Sequence, residues 1–140
     1  MKIEKIKELE NELLNCERLY YFGVCILKET RILKKVLINL SDISLNLVNF
    51  YSEIKDYKNE NKKIKFFVEN FALKNIRKED LKVFIEIFKF HKMHEKSSLE
   101  FIRGDNLIIY YNGKYERISK EKIIKSFKII KFLIKKLSEE

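Results

Sequence analysis

Apolar residues in the first half of the chain recur at alternating steps of three and four positions, which places them on one face of an α-helix. One series predicts a first long helix and consists of Ile6, Leu9, Leu13, Cys16, Tyr20, Gly23 and Leu27. A second series predicts another long helix and consists of Val36, Leu40, Ile43, Leu47, Phe50, Ile54 and Tyr57. The phase of the pattern shifts near Glu29–Arg31, which predicts a break there. We expect the two helices to pack antiparallel along these stripes.

The middle of the chain continues as helices after a polar run at residues 58–63, which predicts a loop. A shorter helix is expected over residues 64–73 and another over residues 78–92. The second has Glu79 and Asp80 in its first turn, where the helix dipole favours acidic side chains. It is apolar on most sides, so the pattern favours the central helix of a bundle, with a strand as the alternative.

The pattern then changes to short β-rich runs separated by the turn pairs Gly104-Asp105 and Asn112-Gly113. Asn-Gly is a strong hairpin signal because both residues tolerate positive φ. These runs predict a three-stranded antiparallel meander. Ser119 is then the predicted N-cap of a last helix. The apolar stripe of that helix consists of Ile123, Phe127, Ile130, Ile134 and Leu137.

Together these elements predict a mostly α (α+β) protein with one domain over residues 1–140. A helical bundle at 1–95 is followed by the β-meander at 98–118 and a basic amphipathic helix at 119–138. A hydrophobic content of 46% is enough for a core despite 36% charged residues.

The sequence also indicates the cellular compartment in which the protein is expected. The segment MKIEKIKELE lacks the apolar core and cleavage site of a secretory signal. The longest uncharged apolar run, Leu19–Leu27, has nine residues, against about 20 in a membrane-spanning helix. Cys16 and Cys25 are too few for a disulfide framework or a thiolate metal site. We therefore expect a reduced, cytoplasmic protein in which both cysteines are small core residues.

Positive charge is concentrated in one part of the chain. The first sixty residues balance ten acids against ten bases, so the net charge of +9 sits in residues 61–140. Residues 119–137 carry seven lysines against the single acid Glu121. This asymmetry favours an anionic partner such as nucleic acid, an acidic protein surface or lipid headgroups. Codon bias or the Lys/Glu enrichment of hyperthermophiles is the alternative explanation.

Few residues offer catalytic or metal chemistry. His91 and His94 share a helix face and are the only candidates for a metal site, but no further ligands accompany them. The alternative places His91 in the core and His94 at partial exposure. With three glycines and no nucleophile motif, the chain lacks a phosphate-binding loop and a catalytic elbow. We expect no cofactor, and the sequence favours a non-enzymatic protein.

The last helix is the first candidate binding surface. Opposite its apolar stripe, a helical projection places Lys125, Lys128, Lys135 and Lys136, with Phe132 among them. An aromatic ring among cations suits base stacking with phosphate pairing, a protein partner or a membrane interface. The alternative is a helix packed in a crevice whose lysines are merely solvated.

The meander is the second candidate surface. Ideal pairing across its turns puts on one face Leu99, Phe101, Arg103, Ile108, Tyr110, Tyr115 and Arg117. Aromatics with arginines resemble a stacking surface for single-stranded nucleic acid. A small sheet must bury one side to be stable, so we expect this face to pack on the bundle, with Arg103 and Arg117 at its rim.

The succession of amphipathic helices over residues 1–95 is similar to the HEPN-like helical domains of prokaryotic toxin–antitoxin and RNA-processing systems. Catalytic members of that family carry an Arg followed within a few residues by His. Here the nearest arginine upstream of His91 is Arg77, so the motif is absent. The resemblance implies a non-catalytic member that binds RNA or protein. The segment from His94 to Arg103 also looks like the join between bundle and hairpin in archaeal proteins and implies no activity.

Three functional hypotheses follow. The first is a small protein that binds nucleic acid, RNA in preference to duplex DNA, through the lysines, Phe132 and the two arginines named above. The second is an interaction or homo-oligomerisation module whose long heptad-spaced helices pair with another chain, indifferent to salt. The third is a metal-dependent or HEPN-like ribonuclease centred on His91 and His94.

Overall fold

A computed structural model describes residues 2–29 and 31–140, most of them in helices. Helix α1 is Lys2–Leu19 and continues directly as a π-helical segment, Tyr20–Ile26. Helix α2 is Arg31–Ile54. The predicted break between the two long helices is confirmed.

Helices α1 and α2 pack antiparallel. The thiol of Cys16 donates to the carbonyl of Val36 at 3.5 Å, while Asn46 donates to Glu12 at 3.4 Å, so late residues of α1 meet early residues of α2. The predicted stripe is buried up to Gly23, but Leu27 is exposed, contrary to expectation. The reason is the wider π-helical turn, which changes the phase of the helix before Leu27 is reached.

The segment after α2 forms several short helices. A 3₁₀ turn at Glu60–Lys62 leads into α3 at Lys63–Phe67, a π-helical turn at Val68–Ala72 and α4 at Leu73–Asn75. Aromatic rings of this segment pack onto α2, with Tyr51 and Phe71 at 5.1 Å between centroids. The predicted loop and short helix are therefore broadly correct.

The single helix expected over residues 78–92 is divided in two. Helix α5 is Lys78–Phe88 and α6 is Phe90–Lys96. At the break, the buried hydroxyl of Ser41 donates to the carbonyl of Phe88 at 2.8 Å and accepts from the backbone N–H of His91 at 3.2 Å. The phase shift carries Phe90, in place of His91, into the core.

The predicted meander is present in the expected register. Strands β1 at Leu99–Arg103, β2 at Asn106–Tyr111 and β3 at Lys114–Ile118 form an antiparallel sheet in the order β1-β2-β3. Its turns use positive φ as predicted, at Gly104 (65°), Asn112 (52°) and Gly113 (79°).

Helix α7, Lys120–Ser138, closes the fold. Ser119 caps it by accepting from the backbone N–H of Lys122 at 3.2 Å, as predicted. Helix α7 runs antiparallel to α1: Lys2 contacts Glu140, and the ring centroids of Tyr20 and Phe127 are 5.8 Å apart. The fold is thus mostly α, with a small sheet inserted before the last helix.

Candidate nucleic-acid interface on the sheet and the last helix

The sheet packs on the helices through the face opposite to the one expected. Leu107, Ile109 and Ile118 are completely buried. The face with the aromatics and arginines points outward, so the expectation that it would pack on the bundle is wrong. Strand β2 is apolar on both faces. Leu107 and Ile109 of β2 and Ile118 of β3 pack into the core, whereas the larger aromatic side chains of the other face remain in contact with solvent.

The outward face, which we call the aromatic face, is organised in rows across the strands. One row is Leu99–Tyr110–Tyr115, the next is Phe101–Ile108–Arg117, and the last contains Arg103 opposite Asn106. Phe101 is 40% exposed to solvent and Tyr115 is 60% exposed. Their rings lie edge to face at 6.4 Å, so they form one continuous patch.

Arg103 and Arg117 flank this patch. Strand order places Arg103 on one edge strand and Arg117 on the other, and both side chains are exposed. Within residues 2–29 and 31–140, neither guanidinium forms an ion pair. Both are therefore available to a ligand on the aromatic face.

The predicted lysines of α7 are less uniform. Lys125 pairs with Asp80 at 3.1 Å. Lys136 pairs with Glu139 at 3.6 Å and lies over the ring of Phe132 at 5.5 Å. The two remaining predicted lysines, Lys128 and Lys135, are exposed.

Sequence reasoning missed one exposed lysine of this face. Lys131 lies three residues after Lys128 and four before Lys135, which places all three on the same side of the helix. The signal was therefore present in the sequence. Acids of α1 lie across a groove from these lysines, so the surface is not purely basic.

The two histidines engage different carboxylates. The Nδ1 of His91 lies 3.0 Å from Asp42 and its Nε2 lies 3.3 Å from Glu95. His94 contacts Glu100, which Lys34 also approaches at 3.7 Å. His91 is about half exposed and not a core residue, contrary to the alternative considered above. In the described part of the chain, no three His, Cys, Asp or Glu residues are arranged to hold a metal ion.

Cys16 is not placed as a nucleophile. Cys16 is buried between α1 and α2, and burial raises the pKa of its thiol to about 12. Such a thiol stays protonated at neutral pH. Cys25 is half buried in the π-helical segment.

Comparisons of the chain with known protein families, with curated proteins and with solved structures found no match. None of the helices described is both long and apolar enough to cross a lipid bilayer. Function must therefore be inferred from the surfaces themselves.

Proposed function

We propose that this protein binds single-stranded nucleic acid, with a preference for RNA over DNA, on the aromatic face of its sheet. One observation carries the proposal: Phe101 and Tyr115 are exposed on a face whose edge strands supply the exposed Arg103 and Arg117. The face combines rings that can stack on bases with cations that can pair with phosphates.

The core does not need these aromatics. A three-stranded sheet requires one buried side, and Leu107, Ile109 and Ile118 already provide it. Contiguous exposed apolar surface is uncommon on monomeric proteins and marks interaction sites. Base stacking on an aromatic ring contributes about 1–3 kcal/mol per base, enough for such a small surface to bind a short strand.

The arrangement suits a single strand better than a duplex. A duplex hides the faces of its bases inside the stack, whereas an unpaired strand presents them to a flat aromatic surface. Rows on one face of a sheet are about 7 Å apart. Arg117 stands one row from Tyr115, which allows one strand to stack on the ring and pair with the guanidinium together.

The distribution of charge supports an anionic ligand. The net charge of +9 lies in residues 61–140, which contain the sheet and α7. Such a field accelerates encounter with a polyanion even where individual lysines make no contact. The lysines of α7 predicted to contact phosphates have acids beside them, so we assign the direct contacts first to Arg103 and Arg117.

A salt titration of binding tests the proposal. Fluorescence anisotropy of a labelled single-stranded RNA is measured for the wild type and for the double variant Arg103→Gln, Arg117→Gln. The matched control is Lys7→Gln, Lys62→Gln, which removes two exposed charges that belong to α1 and to the 3₁₀ turn at Glu60–Lys62 and not to the sheet. Loss of two phosphate contacts reduces the slope of log K against log salt by about 1.4.

We expect this flattening in the arginine variant and an unchanged slope in the control. Equal slopes in both variants, or no binding of the wild type at low salt, overturn the proposal. Replacing Lys125, Lys128, Lys135 and Lys136 with Gln in a third variant measures the contribution of α7.

The ribonuclease alternative and the HEPN-like resemblance remain predictions. In favour of a role for His91, the carboxylates of Asp42 and Glu95 hold its ring from both sides. Incubating the same RNA with the protein and separating the products tests for cleavage, which His91→Ala should abolish.

A further inference from the structure

A groove runs between α1 and α7, on a different surface from the aromatic face. It has a volume of about 610 Å³ and is lined by residues of both helices. Leu14 and Phe132 line it and are each 41% exposed. The apolar stripe of α1 from Ile6 to Gly23 and that of α2 from Val36 to Phe50 are buried within the chain itself. Any self-association through α1 therefore needs the surface beside that stripe.

The two sides of the groove carry opposite charges. Glu10 and Glu17 lie on the α1 side, while Lys128, Lys131 and Lys135 lie on the α7 side. Among the ion pairs formed by the described residues, none joins these acids to these lysines. Both sets of charges are therefore left for a partner that spans the groove.

The spacing of the charges is matched. Glu10 and Glu17 are seven residues apart, and so are Lys128 and Lys135, which corresponds to about 10.5 Å along each helix. Because α1 and α7 are antiparallel, the acid nearer the start of α1 lies towards the lysine nearer the end of α7.

We propose that two copies of this chain associate through the groove, about a twofold axis that runs along it. This rotation places α1 of each copy over α7 of the other, so that Glu10 faces Lys135 and Glu17 faces Lys128. Leu14 and Phe132 of the two copies then pack together in the middle. Such an interface is isologous, because the same patch of both subunits meets itself.

The charges identify a second copy as the occupant. A partner with one sign of charge would attract one side of the groove and repel the other. A second copy satisfies both sides at once, and the apolar middle supplies the area that ion pairs alone do not. In this dimer Lys128 and Lys135 face carboxylates of the partner, while the aromatic face is left for RNA.

Charge reversal with complementation tests the dimer. Sedimentation equilibrium over a range of protein concentrations is measured without nucleic acid. One variant carries Glu10→Lys and Glu17→Lys, and the other carries Lys128→Glu and Lys135→Glu. Each variant alone brings like charges together and should be monomeric. Mixing them restores opposite charges on both halves of the interface and should give a heterodimer.

The control is Glu4→Lys with Glu8→Lys, which reverses two acids of α1 outside the groove and should leave the dimer intact. Circular dichroism confirms that each variant retains its helices. A monomeric wild type at the highest concentration, dimers in both reversed variants, or a mixture that stays monomeric overturns the proposal. None of these outcomes depends on RNA binding, so the two proposals can fail separately.

Discussion

Tyr110 and Tyr115 lie directly opposite each other on neighbouring strands, with ring centroids 4.9 Å apart and planes inclined by 62°. Edge-to-face pairs of this kind stabilise a sheet beyond the area that they bury. Tyr110 is thereby half buried, while Tyr115 projects into solvent. The pair thus fixes the orientation of the Tyr115 ring on the surface. Substitution of Tyr115 is therefore the most sensitive test of RNA binding.

Replacing Tyr115 with Ala should weaken RNA binding. Loss of the ring pair with Tyr110 should also lower the free energy of unfolding by about 0.5–1.5 kcal/mol without preventing folding. Loss of one stacked base corresponds to about 1–3 kcal/mol, or about 5- to 150-fold in the dissociation constant. Tyr115→Phe retains the ring and should bind nearly as the wild type does. Fluorescence anisotropy measures both.

Phe22 provides a matched control for this substitution. Its side chain is 60% exposed, the same fraction as Tyr115, but it lies in the π-helical segment. Phe22→Ala should leave RNA affinity unchanged. A comparable loss in both variants would show that general surface apolarity, and not the aromatic face, governs binding.

Neighbouring residues of β2 test which face of the sheet is buried. Ile109 is completely buried, whereas Ile108 is on the outward face and only partly covered. Ile109→Ala should lower the free energy of unfolding by about 2–5 kcal/mol, because it removes contacts and leaves a cavity. Ile108→Ala should cost about 1 kcal/mol or less.

Urea unfolding followed by circular dichroism measures both values. If Ile109→Ala does not fold, Ile109→Val gives a milder loss of about 0.5–1.5 kcal/mol. A larger loss at Ile108 than at Ile109 would mean that the sheet packs through its aromatic face.

Ser119 should contribute to stability as the N-cap of α7. Its hydroxyl accepts from the backbone N–H of Lys122 at 3.2 Å. Ser119→Ala leaves this donor unpaired and should cost about 0.5–2 kcal/mol in thermal or urea unfolding, whereas Ser119→Asp should retain the cap. The exposed Ser138, near the other end of the helix, is the control, and Ser138→Ala should change stability by less than about 0.5 kcal/mol.

Burial of Cys16 makes stability depend on pH in the alkaline range. Folding raises the pKa of this thiol from 9.0 to about 12 because burial disfavours the thiolate. The contribution of this thiol to the free energy of unfolding is fully present below pH 9.0. It is lost as the pH rises towards 12, because the thiol of the unfolded chain ionises first. Between these values, the contribution of this group falls by about 1.4 kcal/mol per pH unit.

Comparing the wild type with Cys16→Ala isolates this effect from other alkaline titrations. The difference in unfolding free energy between the two proteins should shrink from pH 8 to about pH 10.5 by about 2 kcal/mol. Thiol alkylation at pH 8 gives a second measurement. Cys16 should react only after the protein is unfolded, and rapid reaction in the folded state would contradict its burial.

Local patterns of the sequence determined the elements. Helical periodicity identified α1, α2 and α7, and the glycines and Asn112 identified the turns of the sheet, because these signals depend only on neighbouring residues. The cap at Ser119 was also predictable from the local sequence. The break at Lys89 was not, because it depends on Ser41, a residue of another helix whose hydroxyl serves the backbone groups exposed there.

Only tertiary structure decided which surfaces remain free. Strand β2 offers apolar residues to both sides, so alternation alone does not distinguish the face that packs from the face that points outward. Lys125 and Lys128 look equivalent in a helical projection, yet Asp80 of α5 pairs with the first, while the second lines a groove with Glu17. The candidate sites therefore arise from packing between elements distant in sequence, whereas the elements themselves follow from local periodicity and turn chemistry.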